Sequence, residues 1–315
     1  MPIFLGIDGG GTKTTCAVGD ATRVLAMGEA AGRNIIRTGE AHARASLHEA
    51  IRNACSAANV HPSAIDSACI GAAGAARPEA CALVQRIAAQ VLSCRVQVVG
   101  DMIIALNAAF GRGPGVITIA GTGSIAYGRD AEGRTARAGG RGFAISDEGS
   151  GHWIGRTAVA RALRSHDGGK DSRLLSAILR DWPATSEEEL VQYANATQPP
   201  DFARLFPTVL AIADAGEPTA REVLSDAGFE LAQLARLILE RLFPTPETAI
   251  AVAMVGGVFR QSALVRQVFY NEVRAAFPQV CVNPTVVEPV LGALELARSI
   301  AHTTSPNAGE AALLP

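Results

Sequence analysis

The stretch from Phe4 to Lys13 combines residue types that could bind a phosphate group together with its metal ion. An apolar run with β-strand character ends at Asp8, and Gly9–Gly11, Thr12 and Lys13 follow it. Glycines allow backbone amides to approach a ligand closely, and a carboxylate beside them can hold a cation. These residues alone leave open a second interpretation, a glycine-rich hairpin that binds no ligand.

The same pattern recurs in the middle of the chain. An apolar run from Val116 to Ala120 precedes Gly121-Thr122-Gly123-Ser124, and a second strand-like run follows. This indicates two distant copies of one β-turn-β unit, with a chance resemblance as the alternative because the pattern is common. Two such turns could hold a polyphosphate through amides and hydroxyls. Asp8 would then hold Mg²⁺ through water, because magnesium gives up its water ligands reluctantly.

Asp101 is the candidate for the group that accepts a proton during phosphoryl transfer. It follows the apolar run Arg95–Gly100 and precedes a helical pattern that starts at Met102. Phosphoryl transfer needs positioning, charge neutralisation and a group that takes the proton of the acceptor. A carboxylate at the end of a strand could take that proton. The alternative role for Asp101 is a helix N-cap, which the same position also suits.

Two familiar nucleotide-binding signatures do not fit the chain. A P-loop ends in Gly-Lys-Ser/Thr and opens a helix, whereas Lys13 follows Thr12 and β-branched residues continue the chain. The segment Gly121–Ala126 matches G-x-G-x-x-A, but a dinucleotide fingerprint must also open a helix, and this segment has strand character. A third glycine turn, Gly256-Gly257, would allow the close backbone approach that a ribose or an adenine needs.

The composition indicates a small-molecule partner. Lysine and arginine together number 28 against 30 acidic residues, and no basic stripe is present, which argues against a nucleic-acid binder. No apolar run approaches the length of a membrane span, and no signal-peptide pattern opens the chain. The six cysteines are scattered without a C-x-x-C pair, as expected of core thiols in a reducing compartment. We therefore expect a cytoplasmic protein that binds neither nucleic acid nor a membrane.

Strands and helices alternate along the chain, which predicts α/β lobes with largely parallel sheets. Ligands of such sheets gather at the carboxyl ends of the strands, where Asp8, Gly71 and Asp101 all fall. The run Val280–Val286 is predicted to be a late strand. We expect an N-terminal lobe at 1–111 with the final helix, about 290–303, packed on it. A C-terminal lobe at 112–289 would contain a helical region at about 152–243, and 304–315 would form a loose tail.

Five motifs carry a resemblance to a known group of proteins. They occur in the order found in the superfamily that includes actin, hexokinase and the heat-shock ATPases: Asp8–Lys13, Gly100–Asp101, Gly121–Ser124, Gly139–Ser150 and Gly256–Val258. More narrowly, the chain resembles the N-acetylglucosamine kinases and bacterial glucosamine kinases, which are grouped with the ATPase activators of 2-hydroxyacyl-CoA dehydratases. The resemblance extends from residue 3 to about residue 302.

The resemblance implies both the fold and the activity. The fold would be α/β and two-lobed, of the actin/hexokinase-like ATPase type, with duplicated ribonuclease-H-like domains, a helical insertion in the second, and ATP and sugar in the cleft. The activity would be an ATP- and Mg²⁺-dependent amino-sugar kinase that phosphorylates the 6-hydroxyl of N-acetylglucosamine or glucosamine, in a homodimer. The alternative is an ATP-hydrolysing activator of the 2-hydroxyacyl-CoA dehydratase type. Such activators need paired cysteine ligands for an iron–sulfur cluster, and here the cysteines fall within predicted strands and helices.

The same likeness implies roles for individual residues. Asp101 would be the base that removes the proton from the 6-hydroxyl of the sugar. The phosphates would lie against Gly9, Gly10, Gly11, Thr12, Lys13, Gly121, Thr122 and Gly123, and the adenosine along Gly256 and Gly257. The sugar would be bound by Asn34, Asp101, Ser124, Gly140, Arg141 and Asp147.

One position departs from the pattern of these kinases. They usually have Gly-Gly-Trp-Gly where this chain reads Gly139-Gly140-Arg141-Gly142. A tryptophan could pack against the 2-substituent of the sugar, whereas Arg141 could bind a carboxylate or another anion. The alternative is a solvent-facing arginine, since most arginines are exposed. The departure leaves the identity of the amino sugar open, but not the phosphoryl transfer.

Overall fold

The computed structural model describes residues 1–31, 39–75, 77–170, 172–198, 200–244 and 249–302. The predicted sugar-binding residue Asn34 and the predicted tail at 304–315 lie outside these residues. The strands are β1 (Phe4–Gly9), β2 (Lys13–Gly19), β3 (Val24–Ala31), β4 (Ser67–Ala72), β5 (Arg95–Gly100), β6 (Gly115–Ala120), β7 (Ser124–Arg129), β8 (Thr135–Gly139), β9 (Ala251–Val255) and β10 (Cys281–Val282).

The described helices, in chain order, are α1 (Glu40–Ala57), α2 (Pro78–Ala88), α3 (Asp101–Phe110), α4 (Gly151–Asp167), α5 (Arg173–Asp181), α6 (Glu187–Ala194), α7 (Phe206–Asp214), α8 (Pro218–Leu242), α9 (Gly257–Gln261), α10 (Ala263–Ala276) and α11 (Pro289–His302). Short 3₁₀ turns occur at Pro62–Ala64 and Phe202–Leu205. Among these helices, none is both long enough and apolar enough to cross a membrane.

The chain divides into two compact units. Unit 1 consists of Met1–Gly111 together with the residues from Pro289 onward, and unit 2 consists of Arg112–Glu288. Unit 1 contains a five-stranded sheet in the order β3-β2-β1-β4-β5, and unit 2 contains a five-stranded sheet in the order β10-β9-β6-β7-β8. The first three strands of each unit form an antiparallel meander, and the later two add parallel strands on the other side of the first strand. The repeated β-turn-β pattern of the sequence therefore corresponds to two sheets of the same topology.

The second hairpin of each sheet is closed by an aspartate in the same way. In unit 1, Asp20 Oδ1 accepts hydrogen bonds from the backbone N–H groups of Thr22 (2.9 Å) and Arg23 (2.8 Å). In unit 2, Asp130 Oδ1 accepts from the N–H groups of Glu132 (3.1 Å) and Arg134 (2.8 Å). An aspartate that binds the N–H groups two or more residues ahead stabilises a turn. The two meanders thus share a local capping device as well as a strand order.

The capping bonds of Asp20 make the stability of unit 1 sensitive to acid. The backbone hydrogen bonds from Thr22 and then Arg23 lower the pKa of the Asp20 carboxyl to about 2. Because this folded-state pKa is below the unfolded value, ionised Asp20 stabilises the fold above about pH 4 and loses that contribution as the pH falls towards 2. We expect Asp20→Asn to unfold at a lower denaturant concentration than the unmodified chain at pH 7, with the difference shrinking below pH 4. Asp214→Asn, an exposed aspartate at the end of α7, is the matched control. A difference that stays constant from pH 7 to pH 2 would contradict this account.

The final helix packs on the sheet of unit 1 at two glycines. A Cβ atom on Gly6 of β1 would overlap the backbone of Leu294, and one on Gly292 would overlap the carbonyl oxygen of Ile104 in α3. The absence of side chains lets α11 lie close to both β1 and α3. Arg298 adds polar contacts, because its Nε and Nη2 atoms donate to the carbonyl oxygens of Asp20 and Arg23, both at 2.8 Å. Helix α11 therefore holds the strand and the helix that carry Asp8 and Asp101.

The sheet of unit 2 is covered by the long helix α8. This helix begins at Pro218 behind Glu217, whose carboxylate accepts a hydrogen bond from the N–H of Ala220 (2.6 Å). Its apolar face contacts β6, β7 and β8, and Gly128 of β7 lies directly against Ile238. Helices α4–α8 all lie in sequence between β8 and β9. They correspond to the helical insertion predicted for the second domain.

The strand predicted at Val280–Val286 is shorter in the structure. Strand β10 pairs with β9 only at Cys281 and Val282, and Val287 then forms an isolated bridge with Val255. The interruption falls at Asn283-Pro284, where Asn283 Oδ1 accepts the N–H of Thr285 (2.9 Å). Proline has no N–H for a sheet, and the asparagine closes a local turn instead. The prediction was wrong at this point because the apolar valines on both sides of Pro284 give the segment the pattern of a continuous strand.

Candidate active site

The turn between β1 and β2 places Asp8 at the carboxyl edge of the unit 1 sheet. Asp8 lies opposite Gly71 in the parallel strand β4 and opposite Thr15 in β2. The N–H of Gly10 donates to the carbonyl oxygen of Lys13 (3.1 Å), which closes the turn. A Cβ atom on Gly9 would lie 3.3 Å from the carbonyl oxygen of Gly71, so the turn runs close to β4. The half-buried carboxylate of Asp8 therefore stands beside a tightly closed glycine turn.

Lys13 is engaged in an ion pair with a neighbouring strand. Its Nζ lies 2.5 Å from Glu29 Oε1 on β3, and the two side chains are 47% and 56% exposed. Thr12, the preceding residue, is exposed at the tip of the turn. Exposed ion pairs contribute little to stability, so the pair can open at low cost when an anion approaches. In the structure, the ammonium group neutralises Glu29.

We expect Lys13→Ala to have a modest effect on nucleotide binding. Since the ammonium of Lys13 already has a carboxylate partner, its loss should raise the KM for ATP by less than about fivefold, the size of an exposed ion-pair contribution. Steady-state kinetics with ATP as the varied substrate measure this, and Lys170→Ala, at the other lysine of the chain, is the control. A rise of about 100-fold or more would instead show that Lys13 leaves Glu29 to bind phosphate.

Asp101 lies at the same edge of the sheet as Asp8. Strand β5 is parallel to β4, with Gly100 opposite Ala72, and α3 begins at Asp101 directly after it. Asp101 Oδ1 accepts a hydrogen bond from the N–H of Met102 (2.9 Å), and the residue is half-buried. The N-cap position belongs to Gly100, which has no side chain to cap the helix. Asp101 thus lies in the first turn of the helix, where a carboxylate interacts favourably with the helix dipole.

The elements behind Asp101 are tightly packed. Ile104, one turn further along α3, lies against Gly71, where a Cβ atom would overlap it. Asn107 Nδ2 donates to the carbonyl oxygen of Gly292 in α11 (3.0 Å). These contacts fix α3 against both β4 and α11, and thereby fix the direction in which Asp101 is presented. Asp8 and Asp101 are separated by two strand spacings, which corresponds to about 10 Å.

The turn between β6 and β7 is the counterpart in unit 2. Ala120 pairs with Ser124, and the N–H of Gly121 donates to the carbonyl oxygen of Gly123 (2.9 Å). The start of α4 supports this turn, because the N–H groups of Gly151 and His152 donate to the carbonyl oxygens of Gly121 (2.8 Å) and Thr122 (3.2 Å). N–H groups in the first turn of a helix have no partner within the helix, so here they are used to hold the turn.

The glycine-rich segment 139–150 folds back onto that turn. Ser124 Oγ donates to the carbonyl oxygen of Glu148 (2.6 Å). Asp147 is buried, with 9% exposure, and a Cβ atom on Gly123 would lie 3.0 Å from Asp147 Oδ2. The backbone of Asp147 has φ 67°, in the left-handed region that costs energy for a residue other than glycine. The fold therefore brings Ser124, Gly123 and Asp147 together and holds Asp147 in a strained conformation.

Gly140 and Arg141 lie at the start of the same segment. Arg137 Nη2 donates to the carbonyl oxygens of Gly139 (3.1 Å) and Gly140 (2.9 Å). A Cβ atom on Gly140 would lie 2.9 Å from the side chain of Ile125, so this part of the segment packs against the start of β7. Arg141 is exposed.

Gly256 completes the carboxyl edge of the unit 2 sheet. Val255 at the end of β9 lies opposite Ile119 in β6, and Gly256 follows with φ 102°. A Cβ atom there would overlap the carbonyl oxygen of Ala120, so only glycine fits beside the end of β6. Gly257 then opens α9. The structure thus brings Gly256 next to the turn at Gly121.

The sequence did not identify three residues that shape these segments. Glu29 holds Lys13, and Arg137 holds the carbonyl groups of Gly139 and Gly140. His152 is buried at the start of α4, with its ring centroid 4.9 Å from that of Phe143. Glu29 and Arg137 act across a turn or between strands, so no short motif could have indicated them. The position of His152 directly after the Asp-Glu-Gly-Ser segment was the only available signal.

The described residues contain no group of three or more histidine, cysteine, aspartate or glutamate side chains that could surround a metal ion. Mg²⁺ does not need such a group, because it keeps several water ligands and is bound by one or two carboxylates together with substrate phosphates. Asp8 has the right chemistry for one such contact through water. Within the described part of the chain, this edge of the sheet offers no set of three side chains for a closed zinc-type site.

Comparison with known proteins places the chain among sugar kinases and related ATPases. A model of the BadF/BadG/BcrA/BcrD ATPase family matches residues 5–297. The N-acetylmuramic acid/N-acetylglucosamine kinase of Clostridium acetobutylicum is 29% identical over 304 residues, which cover 95% of this chain and 99% of that protein. A protein of Chromobacterium violaceum, provisionally named N-acetylglucosamine kinase, is 27% identical with a TM-score of 0.72, over 94% of this chain and 99% of that one.

A more distant structure establishes the fold class. The ROK family glucokinase of Streptomyces griseus, in complex with glucose and AMPPNP, is 18% identical and has a TM-score of 0.60, over 94% of this chain and 99% of that one. At this identity the likeness concerns the fold alone. Together with the two sheets of equal topology, it confirms the predicted α/β fold of the actin/hexokinase-like type.

Proposed function

The chain belongs to the BadF/BadG/BcrA/BcrD ATPase family, and we propose that it is an ATP-dependent amino-sugar kinase. The reaction is transfer of the γ-phosphate to the 6-hydroxyl of N-acetylglucosamine or glucosamine. Relatives that match nearly the whole chain are named as kinases of such sugars. Mg²⁺ as the metal, a homodimer and a cytoplasmic location belong to the proposal as well.

The observation that carries the proposal is the arrangement of two carboxylates at one sheet edge. Asp8 stands beside the glycine turn at the end of β1, and Asp101 stands at the end of β5, two strands away. About 10 Å between them leaves room for a metal-bound phosphate near Asp8 and an acceptor hydroxyl near Asp101. A single carboxylate at a glycine turn would suit nucleotide binding alone. The second carboxylate adds a group that can take a proton.

The proposed chemistry follows from these positions. Asp101 accepts the proton of the 6-hydroxyl, and the oxygen forms a bond to the γ-phosphorus as the bond from that phosphorus to the β-γ bridging oxygen breaks, releasing ADP. Backbone amides of the turns at Gly9–Thr12 and Gly121–Gly123 bind the phosphate oxygens. Asp8 would hold Mg²⁺ through water, and the bound ion would supply positive charge for those oxygens. Gly256 and Gly257 lie along the adenosine.

We assign the sugar ring to the segment of unit 2 that contains Ser124, Gly140 and Asp147. The carboxylate of Asp147 is buried beside Gly123, where a hydrogen bond to a sugar hydroxyl would be shielded from water. Sites that bind hydroxyl groups with buried polar partners discriminate strongly, because a wrong sugar leaves those partners unpaired. Strain at Asp147 is consistent with a position selected for its side chain.

A sugar-dependent ADP assay tests the proposed function. With ATP and Mg²⁺ present, ADP formation is measured with glucosamine, N-acetylglucosamine, N-acetylmuramic acid and glucose, and without any sugar. We expect amino sugars to stimulate ADP formation well above the rate with glucose or with no sugar. ATP hydrolysis at one rate under all conditions would contradict a kinase.

The activator alternative is disfavoured by the cysteines. Cys16, Cys55 and Cys69 are buried, whereas Cys81 and Cys94 are half-buried and Cys281 is exposed. Burial raises the pKa of the Cys69 thiol to about 12. A buried thiol of this kind does not ionise readily, whereas an iron–sulfur cluster is held by thiolates. An absorption spectrum of the anaerobically purified chain separates the two functions, since a cluster absorbs in the visible range and a kinase of this type does not.

A further inference from the structure

Arg141 is a cation without a counter-ion next to the proposed sugar-binding residues. Among the residues that the structure describes, it takes part in no hydrogen bond and no ion pair, and its side chain is exposed. The neighbouring arginines differ, because Arg137 binds two carbonyl groups and Arg134 pairs with Asp130 at 2.6 Å. The guanidinium of Arg141 is therefore available to a ligand.

The backbone on both sides of Arg141 is held in place. Gly140 and Gly142 have φ values of 64° and 101°, in the region that favours glycine. On one side, Gly140 packs against Ile125 and its carbonyl oxygen accepts from Arg137. On the other side, the carbonyl oxygen of Gly142 accepts hydrogen bonds from the N–H groups of Ile145 (3.2 Å) and Ser146 (2.9 Å). Arg141 thus extends from a fixed point on the same segment that carries Asp147.

The carboxylate that follows Asp147 in this segment does not neutralise Arg141. Glu148 Oε2 accepts a hydrogen bond from Ser146 Oγ (3.2 Å), and burial, followed by the charges of Glu148 and Asp226, raises the pKa of nearby Glu230. Glu148 therefore lies near Glu230 of α8. Among the residues that the structure describes, it forms no ion pair with Arg141.

We propose that Arg141 binds a carboxylate carried by the sugar, so that the acceptor is an acidic amino sugar. A planar guanidinium can form two parallel hydrogen bonds to a carboxylate, which a neutral sugar cannot offer. The carboxylate must be attached at a carbon other than C6, since the 6-hydroxyl is the group that reacts. The inference rests on the proposed kinase function and specifies the acceptor of that same site.

N-acetylmuramic acid and N-acetylglucosamine are matched probes for this inference, because they differ only in a lactyl ether on O3 that carries the carboxylate. We expect the unmodified chain to phosphorylate N-acetylmuramic acid with a higher kcat/KM than N-acetylglucosamine. Arg141→Gln should lower kcat/KM for N-acetylmuramic acid by about 10- to 100-fold, mainly through KM, and change that for N-acetylglucosamine by less than about threefold. Arg141→Lys should fall between, because it keeps the charge without the paired hydrogen bonds.

Two controls separate recognition of the carboxylate from a general effect. Arg112→Gln removes an exposed arginine that precedes the opposite end of β6, and it should change neither sugar's kinetics. At saturating ATP and Mg²⁺, raising the salt concentration should weaken the use of N-acetylmuramic acid by the unmodified chain more than that of N-acetylglucosamine, since salt screens exposed charges.

The outcomes that overturn the inference differ from those that overturn the kinase. Failure of the unmodified chain to phosphorylate N-acetylmuramic acid, while N-acetylglucosamine is phosphorylated, overturns the role of Arg141 and leaves the kinase intact. Equal losses for both sugars in Arg141→Gln also overturn it, because they indicate a structural role. Absence of sugar-dependent phosphorylation with every amino sugar overturns both proposals together.

Discussion

Replacing Asp101 by asparagine is expected to lower kcat for sugar phosphorylation by about 100-fold or more, the loss associated with removing a general base. Asparagine keeps the size of the side chain and can still accept the N–H of Met102, so α3 should begin as before. The amide cannot take the proton of the hydroxyl. Because the phosphates are assigned to the glycine turns and not to Asp101, the Kd for ATP should change by less than about fivefold.

Stopped-time measurement of sugar phosphate and direct titration with an ATP analogue test these two expectations separately. Glu79→Gln is the matched control, since it removes one exposed carboxylate from the first turn of the neighbouring helix α2. Near-normal turnover of Asp101→Asn would refute the base assignment and favour a purely structural carboxylate. A parallel loss of ATP binding would indicate that the variant disturbs the sheet edge as a whole.

Asp8→Asn is expected to lower turnover by about 10- to 100-fold at a fixed Mg²⁺ concentration. A carboxylate that holds a metal through water belongs to the outer coordination shell of the ion. The loss of such an outer-shell partner typically lowers metal affinity or activity by about 10- to 100-fold. Higher Mg²⁺ should restore part of the rate, which distinguishes a metal role from a folding defect. The measurement is turnover as a function of Mg²⁺ concentration, with the half-saturating concentration raised in the variant.

Asp66→Asn provides the control at the opposite end of the β1–β4 pair, because Asp66 directly precedes β4. Asp66 Oδ2 accepts the N–H of Ile3 (2.7 Å) just before β1, and asparagine can accept the same bond. This variant should keep the Mg²⁺ dependence of the unmodified chain. If both aspartate variants shift that dependence equally, the effect belongs to β1 as a whole and the assignment of Asp8 to the metal is wrong.

The sequence predicted the family and the fold class because their signals are local and repeated. Strand, glycine turn and strand occur at Phe4–Gly19 and again at Gly115–Arg129, and the structure contains both as hairpins of two equivalent sheets. Apolar runs followed by helical spacing placed Arg95–Gly100 and the helix after it correctly. The family resemblance predicted from five ordered motifs is confirmed. The roles of individual site residues stay predictions.

Contacts that depend on the path of the backbone could not be predicted. The pairing of Lys13 with Glu29 requires the register between β2 and β3, and the approach of Asp147 to Gly123 requires a left-handed φ at an aspartate. Support of the β6–β7 turn by the first amides of α4 likewise depends on the fold of segment 139–150. Such contacts join residues far apart in the chain, and neither the residue types nor their spacing predicts them.

The most direct test of the kinase assignment is identification of the product by ³¹P NMR. The purified chain is incubated with ATP, Mg²⁺ and either N-acetylglucosamine or N-acetylmuramic acid, and the phosphorus signals are followed with their proton couplings. We expect a phosphomonoester signal that is coupled to the two protons on C6, grows together with the ADP signals and is absent with Asp101→Asn. Formation of ADP and inorganic phosphate without any sugar phosphate would contradict the kinase assignment.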